Sequence, residues 1–170
     1  SGGRGGGRRR VLGACWGTEG AQGTRVKARG LSAEDVVGRK FEGCNKYLNV
    51  TRPDVIIQIH REYLEAGADI VETNSFGSTE LVLREYAPLH ERAYEITRRG
   101  AELARQAADE YTTPDQPRFG AGSMGPTTKA IPGPGGVTFA SWLRTHVAQA
   151  RALGAGGGET RGRGRRLRRR

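Results

Sequence analysis

The sequence predicts an α/β chain in which short buried strands alternate with amphipathic helices as parallel βα units. Two observations carry this. Apolar residues step by threes and fours in three segments, with short β-branched or glycine-rich runs lying between them. The resulting order of helix, strand, helix, strand, helix is that of a parallel sheet covered by helices, whose post-strand loops carry chemistry. A third observation limits the reading: no GxGxxG follows either strand, so a nucleotide-binding version lacks its phosphate cradle. Barrel and doubly wound sheet both remain open on this topology. A complete (β/α)8 barrel needs about 250 residues, more than the 170 present.

The first helix is expected from Thr51-Arg52-Pro53-Asp54, with Thr51 as a hydroxyl N-cap, Pro53 in the first turn and an acid facing the free amides. Val55, Ile56, Ile59, Tyr63 and Leu64 share a face, and Gly67 sits where a C′ glycine belongs. The run from Ala68 to Asn74 reads as a strand entering a functional loop. A short helical piece is expected at Leu81 to Tyr86. A long one follows from about Pro88 to Glu110, with Leu89, Ala93, Ile96, Gly100, Leu103 and Ala107 in one stripe. Thr112 to Pro117 stops it, and Arg118 to Ser123 can form a second strand whose glycines place backbone against a neighbour. After a Gly/Pro-rich loop from Gly125 to Gly136, a third helix starts near Thr138, with Phe139, Trp142, Leu143, Val147, Ala150 and Leu153 inward.

The formal charge of +10 sits at the ends: residues 1–10 hold four Arg and no acid, and residues 154–170 hold seven Arg against Glu159. Removing these eleven Arg and one Glu from 28 basic and 18 acidic residues leaves 17 of each sign, so the body, 11–153, is neutral. Both ends are Gly/Arg-rich and nearly free of apolar side chains, and are expected to be disordered. The switch after Leu153 breaks the βα rhythm and is read as a truncated or frame-shifted end. Cys15 and Cys44 have no CxxC or Cys/His spacing, which argues against a disulfide framework and for a reducing compartment. No apolar run approaches the ~20 residues of a membrane span, and no signal-peptide core opens the chain. A cytoplasmic location and no membrane partner are therefore expected.

Three stretches carry a resemblance. They are Gly43-Cys44-Asn45-Lys46-Tyr47-Leu48-Asn49-Val50-Thr51-Arg52-Pro53-Asp54-Val55, Glu65-Ala66-Gly67-Ala68-Asp69-Ile70-Val71-Glu72-Thr73-Asn74-Ser75-Phe76-Gly77, and Gly122-Ser123-Met124-Gly125-Pro126-Thr127-Thr128-Lys129. In order and spacing they resemble the homocysteine S-methyltransferase family, including the homocysteine-binding domain of cobalamin-dependent methionine synthase, over about residues 41–153. The resemblance implies a partial TIM-type (β/α)8 barrel of roughly three βα units. It implies transfer of a methyl group to the zinc-activated thiolate of homocysteine, giving methionine. Zinc coordination holds the sulfur as thiolate, the nucleophilic form.

Two departures stand out. The family's first strand carries an Asp before its Gly-Thr, whereas Val11-Leu12-Gly13-Ala14-Cys15-Trp16-Gly17-Thr18 has no Asp. The family's three zinc cysteines belong to the later half of the barrel, so the resemblance implies that the zinc site is absent here and that the chain alone is catalytically incomplete. It does not fix the methyl donor: methyl-cobalamin, betaine and S-methylmethionine serve different members.

The resemblance also supplies the candidate substrate-binding residues. Glu72, Asn74 and Phe76 lie at the end of the first strand, where barrel enzymes place their sites, with Phe76 as a pocket wall. The alternative is that Glu72 pairs with a cation and Asn74 caps a turn. Ser123, Gly125 and Thr127 form the corresponding loop after the second strand, or a rigid structural turn. Gly13, with Gly17 and Thr18, offers backbone amides to a carboxylate. His60, His90 and His146 are read as surface histidines, and Trp142 as helix-face core. Two competing functions remain: nucleic-acid binding through the Gly/Arg ends, opposed by their lack of aromatic residues, and self-association through an exposed sheet edge.

Overall fold

The computed structural model describes residues 24–26, 28–30, 38, 41–128 and 137–158. The readings placed on Gly13, Gly17, Thr18, Cys15, residues 1–10, 129–136 and 159–170 lie outside them.

Helix α1 (Leu48–Thr51) runs into α2 (Pro53–Glu65), then β1 (Ile70–Glu72), α3 (Glu80–Leu83), α4 (Ala93–Tyr111), β2 (Phe119–Ala121) and α5 (Phe139–Ala155). The strands pair in parallel with Ile70 opposite Phe119, Val71 opposite Gly120 and Glu72 opposite Ala121. This is the expected order of elements: an α/β chain with a small parallel sheet.

Each junction has a local cause. Pro53 opens α2 at its first position and Asp54 follows in the first turn, but Thr51 is not the N-cap: Arg52 is. Thr51 ends α1, and its hydroxyl donates back to the Tyr47 carbonyl at 3.4 Å. At the other end, Gly67 takes φ 97°, and the amides of Gly67 and Ala68 close on the carbonyls of Leu64 and Tyr63. That double closure is a Schellman stop, and it turns the chain directly into β1. The expected long helix has a tighter first turn: Leu89–Arg92 is 3-10 and α4 proper begins at Ala93. Thr138 caps α5, its hydroxyl accepting from the Ser141 amide.

The core lies where α2 and α4 cover β1, with Ile56, Ile59, Leu64, Val71, Leu103, Ala104 and Ala107 packed together. A second cluster joins Cys44, Tyr47, Leu83, Leu89 and Ile96. Glycines let backbones approach. A Cβ on Gly120 of β2 would meet the Ala104 side chain at 3.3 Å, and one on Gly122 would meet Leu153 at 2.9 Å. The glycine-rich second strand is thus shaped by the helices lying on it.

Three expectations are corrected. Phe139, Leu143 and Val147 of α5 point outward, being 65%, 46% and 39% exposed, while Thr145, Gln149, Ala152 and Leu153 face in. The helix also runs past Leu153 to Ala155, and Gly156–Gly158 lie against α4, where a Cβ on Gly156 would come within 2.7 Å of Ala101. Finally, the histidines are not surface groups. His60 is buried on α2, where burial pushes its pKa down to about 4, and its Nε2 has no hydrogen-bond partner. His90 and His146 are half-buried. Among the described residues no helix is long and apolar enough to cross a membrane.

Candidate functional site

Parallel pairing brings the loops that leave β1 and β2 to one end of the sheet, as it must for two strands running the same way. Side chains of the first loop then pin the second. The Ser123 amide donates to Thr73 Oγ1 at 2.9 Å, and Ser75 Oγ donates to the Ser123 carbonyl at 2.7 Å. Ser123 Oγ lies 3.4 Å from Glu72 Oε2. Phe76 presses on the second loop so closely that a Cβ on Gly125 would fall 2.7 Å from its ring.

Glu72, Phe76, Ser123 and Gly125 are therefore gathered at the mouth of the sheet. Glu72 is half-buried, and burial pushes its carboxyl above the usual range against the opposing pull of the Ser123 hydroxyl. A carboxylate beside a hydroxyl and an aromatic wall can bind a cationic group while apolar atoms rest on the ring.

Asn74 is placed differently. It is 6% exposed, and its amide donates to the Asn45 carbonyl and to Asn49 Oδ1, both at 2.9 Å, while Asn49 donates back to the Asn74 carbonyl at 2.8 Å. Its NH2 group ties the β1 loop to α1 instead of facing the other loop. Thr127 is half-buried in the second loop, and the neighbouring Thr128 hydroxyl binds Glu85 at 2.6 Å.

Several residues that position these loops carried no local signal. Gln149 reaches from α5 to donate to the Ser75 carbonyl at 2.8 Å. His146 places Nε2 3.2 Å from the Gly125 carbonyl and Nδ1 2.9 Å from that of Trp142. Its ring is tilted by 32° against Trp142 with centroids 4.2 Å apart, and Trp142 stacks in turn on Phe139 at 6.1 Å. Trp142 is thus half-buried in an aromatic row and not core. Thr73 and Ser75 lie within a motif whose sequence signal came from Glu72, Asn74 and Phe76. Contacts spanning about fifty residues or more are fixed by tertiary folding, and no spacing rule within a segment reveals them.

Among the described residues no group of three or more His, Cys, Asp or Glu side chains is arranged to hold a metal ion. Cys44 is a free, buried thiol whose pKa burial pushes up, the opposite of a ligand-ready thiolate.

Comparison with known proteins agrees with this architecture. Methionine synthase from Mycobacterium leprae is 49% identical over 111 residues, 65% of this chain and 9% of that protein. The Mycobacterium tuberculosis enzyme is 48% identical over the same length and shares. The crystal structure of the homocysteine methyltransferase MmuM from Escherichia coli in its metallated form matches with a TM-score of 0.62 at 21% identity. That match covers 80% of this chain and 48% of that one; the oxidized form gives 0.58 at 20% identity. The chain thus spans about a tenth of the methionine synthases and about half of the solved methyltransferase. The homocysteine S-methyltransferase family model matches residues 18–160, and the chain belongs to that family.

Proposed function

We propose that this chain forms one wall of a homocysteine-binding pocket within a partial (β/α)8 barrel and that methyl transfer requires groups beyond the described residues. The observation that carries this is the meeting of the two post-strand loops at the same end of a parallel sheet, pinned through Thr73, Ser75 and Ser123. Glu72 binds the substrate ammonium, Ser123 orients the carboxylate of Glu72, and Phe76, held by Gly125, packs on the substrate's methylene carbons. Asn74 contributes by fixing the loop to α1. Thr127, which the family resemblance also implicates, completes the amino-acid end of the pocket; Gly13, implicated by the same resemblance, lies outside the described residues.

Zinc, implied by the family, would hold the homocysteine sulfur as thiolate. The described residues do not fit it, since they offer no ligand set. The name of the mycobacterial relatives, methionine synthase, supports methionine as the product. A cytoplasmic location follows from that metabolic role.

Isothermal titration with L-homocysteine is the test. Saturable binding is expected, weakened at least tenfold by Glu72→Gln, which keeps shape and removes charge. Tight stoichiometric zinc retention, or homocysteine binding unaffected by Glu72→Gln, would overturn the reading.

Self-association is a second reading, favoured by one observation: Phe139, Leu143 and Val147 expose an apolar stripe on α5. Among the described residues β1 and β2 pair only with each other.

A further inference from the structure

His146 lies on α5 with both ring nitrogens against carbonyl oxygens. Nδ1 is 2.9 Å from the carbonyl of Trp142, one turn back on the same helix, and Nε2 is 3.2 Å from that of Gly125 in the loop after β2. A carbonyl oxygen only accepts, whereas a neutral imidazole carries a single N–H and turns a lone pair outward at its other nitrogen. In either neutral tautomer one of the two contacts therefore sets lone pair against lone pair. With both nitrogens protonated, both contacts become hydrogen bonds.

The surroundings suit that charged ring. The indole of Trp142 lies against it with centroids 4.2 Å apart, and an aromatic ring attracts a cation. The carboxylates of neighbouring elements are directed elsewhere. Glu72 meets the Ser123 hydroxyl, and Glu85 meets the Thr128 hydroxyl. Glu80, His90, Glu91 and Tyr94, carried by α3, the Leu89–Arg92 turn and α4, meet α5 at Thr145, Ala148 and Gln149, around a cavity that His146 does not line. Along α5 itself the flanking charges are Arg144 and Arg151.

The Gly125 carbonyl belongs to the segment that shapes the candidate site. Gly125 is buried, and a Cβ there would fall 2.7 Å from the Phe76 ring. Two residues earlier, Ser123 is held by Thr73 and Ser75. The β1 loop thus fixes one end of this segment and α5 fixes the other. Among these anchors His146 is the one whose number of N–H groups changes near neutral pH.

We propose that His146 is a positioning residue for the candidate pocket: doubly protonated, it clamps the Gly125 carbonyl to α5 and so seats the β2 loop against the Phe76 ring. Its effect on homocysteine rests on the pocket reading given above. The sign follows from the donor count. The clamp is complete while the ring is charged and loses one contact as pH rises through the histidine range, about 5 to 8. Glu72 works in the opposite sense, because its carboxylate form grows as pH rises.

The experiment follows the full chain by NMR between about pH 5 and 8, first without homocysteine. Two protonated ring nitrogens on His146 are expected at the acid end, with Ser123 and Gly125 amide shifts that follow the His146 titration. His146→Gln keeps an N–H donor that does not titrate, so these amide shifts should become flat with pH. His146→Phe keeps a ring against Trp142 without a donor, and should displace both amides at every pH. Homocysteine titrations of the same chains should then show the parent weakening at least threefold toward the alkaline end relative to His146→Gln, and His146→Phe at least fivefold weaker than the parent at the acid end. A ring singly protonated throughout, loop amides that ignore its titration, or homocysteine affinities equal in all three chains would overturn the clamp. Failure of Glu72→Gln to weaken homocysteine overturns the pocket reading instead, because the loop amides report the clamp without ligand.

Discussion

Helices α4 and α5 lie against each other, yet only α4 buries the whole of the apolar stripe that its sequence displays. On α4 the stripe through Ile96, Gly100, Leu103 and Ala107 is fully buried, because α2 covers it on one side and β1 and β2 meet it on another. On α5 the large apolar residues Phe139, Leu143 and Val147 stand outside, and the face against α4 is made of Thr145, Gln149, Ala152 and Leu153. Periodicity identifies a face that benefits from cover; it does not say which face the neighbouring elements reach. For α5 the neighbour's shape decided: Ala101 and the backbone at Arg98 accept Gly156, and small or polar groups fit that close approach.

The largest test of this contrast is truncation of one leucine on each helix. Leu103→Ala removes a side chain 2% exposed in the main core and should cost roughly 2–5 kcal/mol. Leu143→Ala, at a position 46% exposed, should stay within about 0.5 kcal/mol. Urea unfolding of both variants checks this, and equal losses would mean that Leu143 is covered in solution.

A buried group that breaks the pattern on α2 gives the next effect. His60 sits in the helix's inward face with no partner for Nε2 and a pKa near 4 in the folded chain, against about 6.5 when unfolded. The unfolded chain therefore takes up the proton first as pH falls. Stability is fully present above about 6.5 and is lost progressively toward 4, by about 3 kcal/mol from this group alone. His60→Leu should flatten that slope between pH 6.5 and 4, as read by midpoints of thermal unfolding, and an unchanged slope would place the acid sensitivity elsewhere.

These cases separate what the sequence could reveal from what it could not. Gly67, Pro53 and Thr138 act through neighbours within a few residues, so boundaries they set were readable, and the two strands followed from their composition. Thr51 misled because Thr is also at home at the end of a helix, with its hydroxyl turned back on a carbonyl. With no second ligand at i+4 and no companion Cys, His60 reads as a surface histidine, although its position beside Ile56 and Ile59 on the inward stripe is the better guide. In the candidate site, Glu72, Phe76 and Ser123 came from motif resemblance, and Asn74 with them, but only folding could turn Asn74 toward Asn45 and Asn49. Gln149 and His146 act on loops 74 and 21 residues away, a separation at which no local pattern exists.

The outer face of α5 provides the finest test, because its effect on stability is the smallest while its effect on association is not. Leu143→Glu with Val147→Lys places an acid four residues before a base on the exposed side of the helix. That pair contributes about 0.2–0.5 kcal/mol in isolated helices, so the folded chain should be nearly unchanged or slightly more stable. If the stripe joins copies of the chain, sedimentation should show association in the parent and a monomer in the double variant at the same concentration. A parent that is already monomeric would assign the stripe to no self-contact, and the contrast with α4 would then rest on exposure alone. A double variant that still associates would move the contact away from α5, toward the two strands, which among the described residues pair only with each other and which neither substitution touches.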